Sequence, residues 1–120
     1  MRRDGDPRDY LFDIAHYAEI GERMVAGGNF EEFARDEVKV LAALRVLEVI
    51  GEASKRVPDD LKKRYPEIPW KDVAGTRDKL IHGYFDVDLE VVWASLSEDL
   101  PPLRRTVAKM LEDLGRSSER

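Results

Sequence analysis

The stretch VKVLAALRVLEVIGEASKRV, residues 38–57, decides how the chain folds. Its apolar residues Val40, Leu41, Ala42, Leu44, Val46, Leu47, Val49 and Ile50 leave few polar positions, so the spacing predicts a central helix contacted on several sides. The exceptions are ordered. Arg45, Glu48, Glu52 and Lys55 or Arg56 fall three or four residues apart and make one polar stripe along that helix. Asp36 is placed to start it. Pro58 ends it, because a proline inside a helix removes a hydrogen bond and clashes with the preceding turn.

The same punctuation continues on both sides. Asp6 before Pro7 is an N-cap followed by proline at the first helical position, and Leu11, Ile14, Ala15, Ala18 and Val25 then recur at helical spacing until Gly27 and Gly28. Asn29 with Glu32 has capping-box spacing for a short helix through Phe30 and Phe33. Beyond Pro58, DDLKKRY allows at most two turns before Pro66 and Pro69. Trp70 to Gly83 reads as another long helix, with Gly83 suited to a left-handed stop. The turn YFDVD leads to Asp88, the expected cap of a last helical segment that carries Val92, Leu96, Leu100, Leu103, Val107 and Met110, and Pro101 and Pro102 are expected to kink or break it.

No strand alternation, glycine-rich phosphate loop or internal repeat is present. The expectation is an all-α, antiparallel four-helix bundle with short additional helices, one domain over residues 1–120, with the polar tail 115–120 disordered.

Composition narrows the function classes. Lys plus Arg is 20 and Asp plus Glu is 25, a net charge of −5, which argues against broad non-specific nucleic-acid binding. The charge is uneven: residues 55–79 hold 8 basic and 5 acidic groups, whereas 80–100 hold 5 acids and no Lys or Arg, so a locally basic surface beside Arg77 is compatible. With no cysteine there are no disulfides or thiolate metal sites. No apolar run approaches the roughly 20 residues of a membrane span, and a soluble, cytoplasmic protein without membrane contact is expected.

A second stretch, RDKLIHGYF at residues 77–85, concentrates chemistry. On a helix, Arg77 and Tyr84 lie almost on one meridian, and Asp78 and His82, four residues apart, are neighbours on the next strip. Asp78 can accept a hydrogen bond from one ring nitrogen of His82, favouring its cationic form and leaving the other nitrogen for proton transfer. The same spacing is compatible with structural roles, in which Arg77 pairs with Glu48 or Glu52 and Tyr84 packs in the core.

The run R-D-K-L-I-H-G-Y, residues 77–84, resembles the R-x4-H-x-Y signature of the HEPN superfamily, specifically its HepT-type toxins. The stretches ALRVLEVIGEASKRVP (43–58), YPEIPWKDVAGTRDKLIHGYFDVDLEVVW (65–93) and EDLPPL resemble that family's central, motif and final helices, so the resemblance spans about residues 8–112. It implies a small helical endoribonuclease acting without a metal or other cofactor, with two chains joining their motifs at a symmetric homodimer cleft. Carried over, Arg77 and His82 are the catalytic pair, and Asp78 is the polar residue allowed after the arginine. Tyr84 is the position at which a cognate minimal nucleotidyltransferase antitoxin attaches AMP, making this chain the toxin of a type VII-like toxin–antitoxin pair.

The residue types suit RNA cleavage. Histidine, with an ordinary pKa near 6.5, can take or give a proton at neutral pH, and arginine stays cationic and holds phosphate oxygens with two donors. Arg45, Glu48 and Glu52 are expected to line the same cleft. Asp13 and His16 have carboxylate-x-x-His spacing, but a ferritin-like site needs two Glu-x-x-His units and the chain has none, so no metal site is expected. HEPN domains also serve as non-catalytic nucleotide-binding or protein-interaction modules, and the acidic balance fits that alternative.

Overall fold

The computed structural model describes the backbone of residues 6–82 and 87–118, and the side chains of residues 6–76 and 87–115. Within them the chain is all-α. Helix α1 spans Pro7–Val25, α2 Phe30–Arg35, α3 Glu37–Arg56, α4 Asp59–Lys63, α5 Trp70–His82, α6 Leu89–Ala94 and α7 Leu100–Ser118, with a π-helical turn over Ser95–Asp99.

Helix starts follow local chemistry. The carboxylate of Asp6 accepts from the Arg8 N–H, Asn29 from Glu32, Asp36 from Lys39, and Asp88 from Glu90 and Val91. Each supplies an acceptor to an amide that has no partner inside its helix. At Asn29 the box is closed between side chains, the amide nitrogen donating to Glu32 Oε1 at 2.9 Å. Gly27, just past the cap residue Ala26 of α1, adopts φ 74°, the left-handed conformation that glycine takes without steric cost. Gly83 lies outside the described residues.

One expectation narrows. Pro101 and Pro102 do not break the last helix: α6, the π turn and α7 follow without interruption, and the Leu100 N–H donates to the Ser95 carbonyl five residues back. A π turn widens the helix at the point where each proline ring would meet a carbonyl of the preceding turn, so the chain stays helical through both. The backbone of α7 is helical as far as Ser118.

The long helices enclose one cluster of buried side chains, among them Leu11 and Ile14 from α1, Val46 and Ile50 from α3, Leu96 from the π turn, and Val107 and Met110 from α7. At Gly21 a Cβ would stand 2.5 Å from Leu100 and 3.1 Å from Leu96, so this glycine is what lets α1 and α7 approach. One residue on, Glu22 accepts from Arg104 Nε and also from Nη2 at 3.3 Å, tying the end of α1 to the start of α7; the hydrogen bond, then the charge, of Glu22 holds the arginine above its ordinary pKa. The central helix is less enclosed than its composition suggests. Val38 and Leu41 are 77% and 60% exposed, because helical spacing puts them on the same outward strip as Arg45, Glu48 and Glu52, while Ala43 beside them is buried.

Candidate functional site

Helix α5 is positioned from its N-terminal end. Ile68 is buried just before it, and the Trp70 indole nitrogen donates to the Tyr65 carbonyl at 3.1 Å while Lys62 stands 5.9 Å over the Trp70 ring. The Tyr65 hydroxyl donates to Asp113 at 2.6 Å, joining the α4–α5 connection to α7. That hydrogen bond, with partial burial and the Asp113 charge, pushes the Tyr65 pKa up to about 12.

Arg77, Asp78 and His82 all fall on the helical backbone of α5, Asp78 and His82 one turn apart, with His82 as its last residue. Their side chains lie outside the described residues, as does Tyr84 altogether. His16 is an exposed residue of α1 whose ring meets Tyr17 edge-on at 5.2 Å.

Two recesses flank α3. One, of about 400 Å³, opens between α3, the first half of α5 and the π turn with α7; Leu47, Ile50, Val73 and Leu103 form its apolar walls, and Asp72 and Asp99 stand on its rim. Partial burial and then the neighbouring Glu98 push the Asp99 pKa up.

The other recess, of about 430 Å³, is a polar groove between α1 and α3. Arg45, Glu48 and Glu52 line it together, so the stripe expected from the sequence is a single surface. Arg45 pairs with Glu48, and Arg56 with Glu52 at 3.5 Å. The opposite wall comes from Tyr10, Asp13 and Tyr17 of α1, which the sequence reading did not assign to a site. Their signal was present: positions 10, 13 and 17 repeat at helical spacing and put polar and aromatic groups on one flank of an otherwise apolar pattern. Leu47 and Ile50 line the cavity beside α5, whereas Val49 and Ala53 line the groove against α1, so the body of α3 separates the two recesses. Among the described residues, no three His, Cys, Asp or Glu side chains are grouped to hold a metal ion, and no helix is long and apolar enough to cross a membrane.

A family model described as ribonuclease HepT-like matches residues 14–110. The chain is 47% identical over 103 residues to a "Probable ribonuclease HepT" of Thermococcus cleftensis, covering 86% of this chain and 94% of that protein. It is 40% identical to a "Putative RNase" of Caldanaerobacter subterraneus subsp. tengcongensis, covering 88% and 95%, and 39% identical to one of Methanocaldococcus jannaschii, covering 91% and 94%. No solved structure matches the chain.

Proposed function

Because this chain belongs to the HepT-like ribonuclease family, we propose that it is an endoribonuclease that cuts RNA without a metal ion, with Arg77 and His82 as catalytic residues and Asp78 positioning the imidazole. The observation that carries this reading is the placement of all three on one uninterrupted segment of α5, inside the matched region. A helical backbone keeps Asp78 and His82 within reach of each other, and a carboxylate beside an imidazole fixes its tautomer and raises its basicity.

In the proposed reaction the RNA 2′-oxygen bonds to phosphorus, the phosphorus–5′-oxygen bond breaks, and a cyclic phosphate and a free 5′-hydroxyl result. One His82 accepts the 2′-hydroxyl proton, and the partner subunit's His82 donates a proton to the departing 5′-oxygen. Arg77 holds the phosphate oxygens as charge builds on them. A single imidazole cannot serve both ends of the reaction at once, so a two-fold dimer supplies base and acid from one motif. What supports a second copy is α3: Val38 and Leu41, both exposed, lie along the same stripe as Arg45, Glu48 and Glu52, an apolar end continuing into a polar groove.

In the same reading the chain is the toxin of a toxin–antitoxin pair, and a minimal nucleotidyltransferase partner silences it by adding AMP to Tyr84. The anionic adduct, paired with Arg77, would occupy the path of the RNA phosphates.

The test is cleavage of RNA by purified protein in excess chelator, against His82→Ala. A general acid or base contributes about 10²–10⁴-fold, so the variant is expected to lose that much activity while its melting curve still shows a folded protein. If wild type and variant bind a nucleotide equally and neither cuts, the catalytic assignment fails and a non-catalytic nucleotide-binding module takes its place.

A further inference from the structure

Helix α5 carries the motif towards its far end and is anchored at its near end. The geometry points to Tyr65 and Asp113 as a positioning pair, whose hydrogen bond between the α4–α5 connection and α7 sets the direction of α5 and with it the place of the Arg77 and His82 backbone; this rests on the ribonuclease reading and names the residues that hold its site in register.

The connection is built as one stiff piece. The Tyr65 carbonyl accepts twice, from the Ile68 N–H at 3.2 Å and from the Trp70 indole nitrogen at 3.1 Å, and the Trp70 N–H donates to the Ile68 carbonyl at 2.9 Å. Pro66 and Pro69 fix two of the backbone angles in between, and Ile68 is buried. Tyr65 is thereby fastened to the first residue of α5, so holding its ring holds the start of the helix. The ring is held by α7. Its hydroxyl donates to Asp113 at 2.6 Å, a length typical of a charge-assisted bond to a carboxylate, and with its pKa pushed up to about 12 the phenol keeps that proton throughout the neutral range.

Along its length α5 meets unlike neighbours. It packs on α3, while towards α7 its first half borders the cavity of about 400 Å³, whose lining includes Asp72, Val73 and Thr76. A cavity resists tilting less than packed side chains do, so the angle of α5 across it depends on the tie at Tyr65. Leverage makes a small error large. Trp70 and His82 are the first and last residues of a helix of 13 residues. At 1.5 Å per residue these ends stand about 18 Å apart, so a tilt of about 3° moves the far end by about 1 Å. A misplacement of that size at reacting groups costs up to about 10²-fold in rate.

The experiment measures cleavage of an RNA oligonucleotide by the full chain in excess chelator, for wild type, Tyr65→Phe, Asp113→Ala, Asp113→Asn and the Tyr65→Phe, Asp113→Ala double variant. Tyr65→Phe and Asp113→Ala are each expected to lower kcat about tenfold or more while KM changes less than about twofold, because alignment is lost and the strand is still bound. Asp113→Asn should recover most of the activity, since its amide oxygen still accepts from the phenol. The double variant should be no worse than either single one, as for two residues that act through one bond. Proton NMR of the imidazoles reads the same change without cleavage: in Tyr65→Phe the His82 resonance should move while that of His16, on α1, stays in place as an internal reference. A melting point that falls in Tyr65→Phe with kcat unchanged, or a loss in Asp113→Asn as large as in Asp113→Ala, overturns the inference. The two readings fail separately. Wild type and Tyr65→Phe that cut RNA equally well lose the pair and keep the nuclease, whereas a wild type that cuts nothing loses the nuclease, and the pair then stands if the His82 resonance moves in Tyr65→Phe and falls if it does not.

Discussion

Against α1, helix α7 packs so closely that a methyl group on Gly21 would stand 2.5 Å from the Leu100 side chain; against α5, the same helix leaves a cavity of about 400 Å³. At Gly21 the α1–α7 seam has no room for a side chain unless its neighbours are displaced. The motif helix α5 packs against α3, and among the described residues it is tied towards α7 through its N-terminal approach, by Ile68, Trp70 and the Tyr65–Asp113 hydrogen bond. The contrast separates a frame from the element that carries the reacting groups. A substitution in the seam should be felt as stability, and one near the cavity should be tolerated.

Gly21→Val is the strongest way to break the comparison. Added atoms would press on Leu100, Leu96 and Val46 at once, and overpacking of this kind costs about 1–3 kcal/mol. Thermal or urea melts should show that loss. An unchanged melting point would mean that the seam is no tighter than the α5 side.

A smaller effect is expected from Tyr65→Phe, which removes the link between the approach to α5 and Asp113. The loss at neutral pH should be about 1 kcal/mol or less, as for a single half-exposed hydrogen bond. Its pH dependence is specific. Since folding raises the tyrosine pKa from 10.0 to about 12, the native state favours the protonated phenol, so its contribution is complete below pH 10 and disappears as pH rises through 12. The gap between wild type and variant should therefore close over that window, and a gap that stays constant would remove the hydrogen bond as its cause.

Asp99→Asn should do least, and in the opposite direction. Partial burial raises the carboxyl pKa, so the acid's contribution is full below its ordinary value and declines as pH rises through the raised one. Asparagine stays neutral throughout. The variant should gain slightly over wild type between acid and neutral pH, and melting curves in which it never gains would show that the rim of the cavity is fully solvated.

Much of the fold was legible because it is local. Asp6, Asn29, Asp36 and Asp88 start helices through hydrogen bonds to amides two or three residues along, and the stripe Arg45, Glu48, Glu52 follows from helical geometry alone. Placement of Arg77, Asp78 and His82 on one helix was legible for the same reason. The α1 wall of the groove was not, since which flank of α1 faces α3 depends on how two helices separated by a turn and a short helix cross.

The amino-acid sequence by itself determined where helices begin, which residues each can bury and which family the chain resembles, because those depend on spacing and short-range hydrogen bonds. Only the tertiary structure decided that Pro101 and Pro102 sit behind a π turn, that Val38 and Leu41 are left in water, and that one side of α7 is filled while the other holds a cavity. Those outcomes depend on side chains far apart in the chain competing for the same volume, and no local pattern records which of them arrives.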